Sequence, residues 1–290
     1  MRYLIMLLWI PLCFSQETKT EENLKNKNFL WEISQGDKKI HILGSIHIGN
    51  KSLYPMNPAV DQFFEASDRL ALEIELNDKN IQFVQEFMAR EAFYKSGSIK
   101  DDFNEEELKK ITSWMSENHI PENFWKKMKP WLLYLTITNL NSNRAKLSEH
   151  YGIDMFYSKK ANEIGKPIIE LETAESQMNL FINLPDVKKL LLESCSISLE
   201  EGKKEILKML NCIKEGDDKK LLEIINEMRE ISPATHESLI VQRNKNMVEK
   251  IELYMKDKEK TFIIVGAAHL LGKEGIIELL KNKNYSLKRL

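Results

Sequence analysis

Residues 29–33, apolar but for Glu32, and 39–43, which open in polar–apolar alternation, are strand-like, with Gln35-Gly36-Asp37 between the two runs. Alternation of period two marks a strand with one buried face, and turn residues between two such runs predict an opening β-hairpin. Residues 57–66 carry helical spacing. Over 69–76 the alternation returns, with Leu70, Leu72, Ile74 and Leu76 on one face and Ala71, Glu73 and Glu75 on the other, so a β-α-β unit follows. Between 81 and 150 no strand pattern occurs. Amphipathic stretches at 81–94, 105–118 and 122–140, interrupted by Gly97 and Pro121, predict a helical insertion. A helix over 153–164 stops at Gly165, a short buried strand covers 167–171, and helices run from 172 to about 255. The chain closes with a buried strand at 261–265, a helix at 272–283 and a strand at 285–290. Strands at both ends with helices between them predict an α/β fold. Its mixed, largely parallel sheet is formed by N- and C-terminal strands and flanked by helices, with a central helical insertion or cap.

Composition narrows the class. The 290 residues are 42% hydrophobic and 30% charged, enough for a full core. Lys+Arg 42 against Asp+Glu 44 leaves a formal charge of -2, so no positive field holds a polyanion and nucleic acid is not an expected partner. Arg2 followed by the apolar run 3–14 and then Ser15-Gln16 has the outline of a signal peptide over 1–15. A linker at 16–28 and a domain over 29–290 follow. The apolar run is short of the roughly 20 residues of a membrane span. Export to the periplasm, the cell envelope or the medium is therefore expected, with no stable transmembrane span after cleavage. Cys13 offers a lipidation point, against which stands the bulky Leu12 before it. An oxidising compartment would permit Cys195 and Cys212 to pair, and their positions leave paired and free states open.

The chemistry concentrates in two echoing segments, His41-Ile42-Leu43-Gly44-Ser45-Ile46-His47 and Ile263-Ile264-Val265-Gly266-Ala267-Ala268-His269. Each is an apolar strand, a glycine that lets the backbone turn, two small or apolar residues and a histidine. Ligands of open α/β sheets bind at the carboxyl ends of strands, where both imidazoles would be delivered to hold a metal or move a proton. One such turn alone reads as an ordinary loop histidine; two, each after an apolar strand, point to a site. Glu73 near the end of its strand is either a functional carboxylate or part of a solvated face shared with Glu75. Glu172 and Asp154 can serve a site or act as first-turn acids of the helices that follow them. Arg243-Asn244 lies in a polar helix where charged residues are usually solvated. His119, His150 and His236 read as surface residues and His41 as a strand residue. Gly44 to Ser52 is one residue too long for a phosphate-binding loop, and Gly266 to Glu274 fails similarly. No His-Glu-x-x-His, Cys-x-x-Cys or Gly-x-Ser-x-Gly motif occurs.

These landmarks together resemble the TraB/GumN group, related to the Tiki proteases and more distantly to erythromycin esterase and ChaN-like proteins. The resemblance rests, in order, on Trp31-Glu32, Gly44-Ser45-Ile46-His47, Leu72-Glu73, Tyr151-Gly152-Ile153-Asp154, Leu171-Glu172 with Gln177, Arg243-Asn244 and Val265-Gly266-Ala267-Ala268-His269-Leu270. It implies a shared site containing both glycine-histidine turns and a glutamate, with metal-dependent peptide cleavage in Tiki proteins and manganese or cobalt favoured over zinc. On that basis His47, His269 and Glu73 are expected to hold a divalent metal ion. Asp154, Glu172, Arg243 and Asn244 join Glu73 as site residues, Arg243 facing a substrate carboxylate or an oxyanion. The expected function is a metal-dependent, peptidase-like hydrolase acting on a peptide or small-molecule substrate. Two alternatives stand beside it: a metal-independent esterase-like hydrolase with a histidine base, and a non-catalytic binder of a peptide signal or haem-like ligand. Oligomeric state is not encoded in any of these features.

Overall fold

A computed structural model describes residues 28–290. The expected signal peptide, Cys13 and all of the linker before Asn28 lie outside the described residues. The hairpin forms as expected from β1 (Phe29–Gln35) and β2 (Lys38–Ser45), turning at Gly36 with φ +58°. Helix α1 (Pro58–Glu65) leads to β3 (Arg69–Leu72). The insertion is built from α2 (Asp78–Glu91), α3 (Glu105–Glu117), α4 (Glu122–Trp125) and α5 (Pro130–Arg144). Then come α6 (Ile153–Glu163), β4 (Ile168–Glu170), α7 (Ala174–Ile182), α8 (Val187–Ser194), α9 (Leu199–Glu215) and α10 (Asp218–Ile231). Helix α11 (Pro233–His236) runs through a π-helical turn, Glu237–Val241, into α12 (Gln242–Lys256). The last elements are β5 (Thr261–Gly266), a 3-10 turn Ala267–His269, α13 (Ile276–Asn282) and β6 (Ser286–Arg289).

Six strands form one sheet in the order β4-β3-β5-β2-β1-β6. Strands β4, β3, β5 and β2 run parallel, while β1 is antiparallel to both of its neighbours. The sheet is thus mixed and largely parallel. Strand β5 sits at its centre, and Thr261 through Val265 are all buried, the continuous apolar run of a strand covered on both faces. One apolar core joins the sheet to α1, α6, α9, α10, α12 and α13. A second core belongs to the insertion, where Trp125, Trp131, Leu133 and Ile137 pack with Phe181, Leu190 and Leu239. Helix α5 is buried almost all round, as the central helix of such a layer must be. No described helix is long and apolar enough to cross a membrane.

Three expected boundaries shift for local reasons. The 69–76 strand ends at Leu72 because its outer neighbour β4 is only three residues long. Beyond that point one backbone bond remains, Glu172 N donating to Glu73 O at 2.8 Å, and the Glu170 side chain accepts from Glu75 N at 2.8 Å and Asn80 Nδ2 at 2.6 Å. The 122–140 helix divides because Pro130 restarts it, and the residue before a proline, Lys129, is extended. The final helix begins at Ile276 instead of 272, since Gly272 has φ +90° and turns the chain. Cys195 and Cys212 are free thiols at the end of α8 and within α9.

Candidate functional site

The sheet register decides which side chains meet. Strands β2 and β5 are parallel neighbours, with Gly44 opposite Val265 and Ser45 opposite Gly266, and β3 flanks β5 with Leu72 opposite Ile264. Three strands therefore end level, and the residues just beyond them, His47, His269 and Glu73, line one cleft at the carboxyl edge. The close approach of the turns needs small residues. A Cβ on Gly44 would lie 2.7 Å from Phe29 Cβ and 2.9 Å from Leu270 Cδ1, and one on Gly152 would lie 2.1 Å from the His47 carbonyl oxygen.

Glu73 is 3% exposed, and both of its oxygens are engaged. Oε1 accepts from Gly266 N at 2.7 Å; Oε2 accepts from Arg243 Nη2 at 2.5 Å and Gln177 Nε2 at 3.3 Å. Arg243 also donates from Nε and Nη2 to Glu172, at 2.8 Å and 2.5 Å, and from Nη1 to Leu239 O at 3.2 Å. Gln177 closes the ring with a 2.8 Å bond to Glu172 Oε2. Burial opposes the charge on Glu73, but Arg243, the charged His47 and the Gly266 N–H outweigh it and hold its carboxyl well below the usual range. The guanidinium between two carboxylates is driven up, so both charges of the pair persist at any ordinary pH.

The two histidines are set in opposite states. His269 Nδ1 is 2.6 Å from Asn244 Oδ1, and Asn244 Nδ2 donates to Glu274 O at 2.7 Å. That second bond fixes which end of the amide faces the ring: Oδ1 must accept, so Nδ1 carries the proton and Nε2 is a lone pair. Nε2 lies 3.8 Å from Glu73 Oε1. Burial, reinforced by Arg243, pushes His269 down to about 3 and keeps it neutral. His47 has its Nδ1 3.0 Å from Asp154 Oδ2, a close ion pair without the alignment of a hydrogen bond, since that oxygen has no hydrogen-bond partner. Ser45 Oγ steadies the same carboxylate by donating to Oδ1 at 2.8 Å. Burial alone would lower His47, yet the charges of Asp154 and Glu73 override it and raise it to about 9. Its ring is ringed by protein atoms but remains 25% exposed at the cleft mouth.

All seven expected site residues thus fall at one edge of the sheet. Arg243 and Asn244 are buried rather than solvated. Glu172 precedes α7 and pairs with Arg243, while Asp154 is both a first-turn acid of α6 and the partner of His47. Glu75 stays outside the network and accepts from Asn77. His236 corrects its surface reading: it is 5% exposed, at the junction of α11 with the π-helical turn. Sequence reasoning gave no role to Ser45 or to the Gly266 N–H. Gln177, seen only as a landmark, carried no signal of its own in a helix that also holds Glu175, Ser176 and Asn179. His47, His269 and Glu73 share a cleft, but among the described residues no three His, Cys, Asp or Glu side chains are grouped to hold a metal ion. The Glu73 oxygens are committed to Gly266, Arg243 and Gln177, and His47 turns to Asp154, so the expected triad is not a ready-made donor set.

The sheet, cap and paired glycine-histidine turns define an α/β protein with a buried carboxylate-histidine site at its carboxyl edge. The pattern of the TraB/PrgY/gumN family matches residues 29–289, and the chain belongs to that family. It is 23% identical over 262 residues to the uncharacterized protein YbaP of Escherichia coli (strain K12), covering 89% of this chain and 95% of that one. Similarity to a metalloprotease TIKI homolog of Amphimedon queenslandica is 22% identity over 321 residues, 92% of this chain and 62% of the sponge protein. No solved structure matches the chain.

Proposed function

We propose that this protein is a peptidase-like hydrolase acting at the carboxyl edge of its sheet. The observation that carries the reading is the pair of histidines lining one cleft with Glu73, each with Nδ1 against an oxygen and Nε2 open, His269 lowered by burial and Arg243, and His47 raised by Asp154. Environments that drive two titratable groups apart separate a base from an acid. His269 Nε2 and Glu73 Oε1 together offer two acceptors that orient an attacking water, whose proton passes to His269 only as negative charge develops on the adduct beside that ring. The departing amine takes a proton from His47, whose cation Asp154 holds. Arg243 and Asn244 are positioning residues here: the first keeps Glu73 ionised and in place, the second fixes the His269 tautomer. Loss of peptide cleavage in both His269→Ala and His47→Ala, with folding retained, is the expected result; full activity in either variant overturns the reading.

A metal-dependent form is the second reading, favoured by the name of the sponge relative and by one feature of the donors. Both histidines engage Nδ1 with an oxygen, Asn244 Oδ1 and Asp154 Oδ2, leaving Nε2 open, the arrangement usual for metal-ligating imidazoles. A third donor would require Glu73 to give up Arg243 or Gly266. Elemental analysis of the purified protein and turnover in the presence of a chelator decide between the two. Stoichiometric Mn²⁺, Co²⁺ or Zn²⁺ with chelator-sensitive cleavage selects the metal form.

A further inference from the structure

The insertion carries a lobe that takes no part in the site. Residues 93–100, after α2, and 121–129, around α4, are laced together by backbone bonds: Tyr94 N to Lys127 O at 2.9 Å, Ile99 N to Lys126 O at 3.0 Å and Lys129 N to Ala92 O at 2.9 Å. Phe93 and Met128 are partnered in a β-bridge, and Phe124 in α4 lies just before Met128. Both phenylalanines therefore stand on one small, braced lobe. Phe93 is 44% exposed and Phe124 54%, the two most exposed phenylalanine side chains among the described residues. They stay outside although the core of the insertion lies directly beneath, at Ile99, Trp125 and Met128.

The charges around them are nearly all of one sign. Residues 93–100 and 121–129 hold five lysines, no arginine and one carboxylate, Glu122. Lys100 pairs with Glu122 at 2.8 Å and Lys129 with Glu91 at 3.7 Å, which leaves Lys95, Lys126 and Lys127 without a carboxylate partner among the described residues. The neighbouring Asp101 and Asp102 are engaged by Ser98 N and by Tyr94 and Lys188. In a chain of net charge -2 the lobe is a local positive pole. An acidic protein and an anionic bilayer both offer negative charge to such a pole. Protein interfaces favour arginine and are depleted in lysine, so five lysines without an arginine favour lipid headgroups, which lysine meets as a point charge. Aromatic rings among lysines also suit a bilayer surface, where apolar side chains enter the headgroup boundary and cations hold its phosphates. We infer that this lobe docks the protein on the surface of an anionic lipid membrane, with Phe93 and Phe124 entering it and Lys95, Lys126 and Lys127 on the phosphates. Helix α2 keeps the lobe clear of the cleft: Ile81 lines the cleft, and Phe93 lies just past the far end of the helix, about 18 Å along its axis.

The test is cosedimentation of the full chain with vesicles of phosphatidylcholine, alone or mixed with phosphatidylglycerol, comparing variants that share every other segment. Tighter binding to the mixed vesicles, weakened by added salt, is expected. Phe93→Ser with Phe124→Ser should lower that affinity by about tenfold or more, and Lys95→Gln, Lys126→Gln and Lys127→Gln by about fivefold each. If a combined variant fails to fold, Phe124→Ser and Lys127→Gln alone carry the comparison, with smaller effects of the same sign. Phe124→Trp in bilayers containing brominated lipid adds a local readout, and quenching beyond that of the wild type is expected. Equal binding by wild type and both sets of variants, or no added quenching in Phe124→Trp, places the contact elsewhere and overturns the inference. Failure to prefer the mixed vesicles overturns it too; if the phenylalanine changes then abolish a concentration-dependent oligomer, the lobe is a contact between copies of the chain.

Discussion

Arg243 is the residue on which the site's electrostatics turn. Its guanidinium lies between two carboxylates with its side chain 8% exposed, and removing one partner of a buried charge network strands the others. Arg243→Met should destabilise the fold by about 3–5 kcal/mol in urea unfolding, and adding Glu73→Gln should restore part of that loss. Asn244→Leu makes a different demand: the fold is expected to survive, while the His269 tautomer is no longer fixed. A fall in kcat of about 10- to 100-fold with little change in KM is the expected signature. The histidines also give stability a pH dependence. His47, raised to about 9 from its ordinary 6.5, contributes stability that is complete below about 6.5 and is lost as pH rises through about 9. His269, lowered to about 3, contributes above 6.5 and loses that contribution as pH falls toward 3. The site's contribution should therefore peak near pH 6.5, and His47→Gln should flatten the alkaline side of the unfolding profile.

At the level of elements, the two glycine turns look alike and should respond differently to one methyl group. A Cβ on Gly44 would overlap Phe29 and Leu270 inside the core, so Gly44→Ala should cost about 1–3 kcal/mol in unfolding free energy. On Gly266 the added carbon would sit 3.3 Å from Glu73 Oε1 and 3.5 Å from His269 Cδ2. Gly266→Ala should change stability by under about 1 kcal/mol while reducing kcat/KM about tenfold or more by crowding those two groups. The echo between these turns made the site legible in the sequence, because an apolar strand, a glycine and a histidine are all local signals. Strand and helix positions were legible for the same reason. The end of β3 was not, since it depends on the length of β4, which is set by residues 168–170. Nor was the burial of Arg243 and Asn244: their helix reads as polar, and only packing against Glu73, Glu172 and Glu274 turns that face inward. Family resemblance supplied those two where patterning could not. Grouping of donors for a metal depends on side-chain partners across the sheet edge, which no spacing encodes.

Across the whole molecule, the last strands of the chain complete what the first ones begin. Strand β6 pairs with β1, Leu290 N donates to Leu30 O at 2.9 Å, and Arg289 reaches Asn28 O. Strand β5 is inserted between β2 and β3, both of which lie far earlier in the chain. A chain ending at Lys260 should therefore lack a cooperative unfolding transition, since its parallel core has no centre. At ordinary elongation rates the ribosome supplies Gly266 about 10 to 40 s after Ser45. Throughout that interval the growing polypeptide carries His47 and Glu73 with nothing opposite them. The arrangement of His47, Glu73 and His269 at one sheet edge therefore exists only once translation has nearly finished.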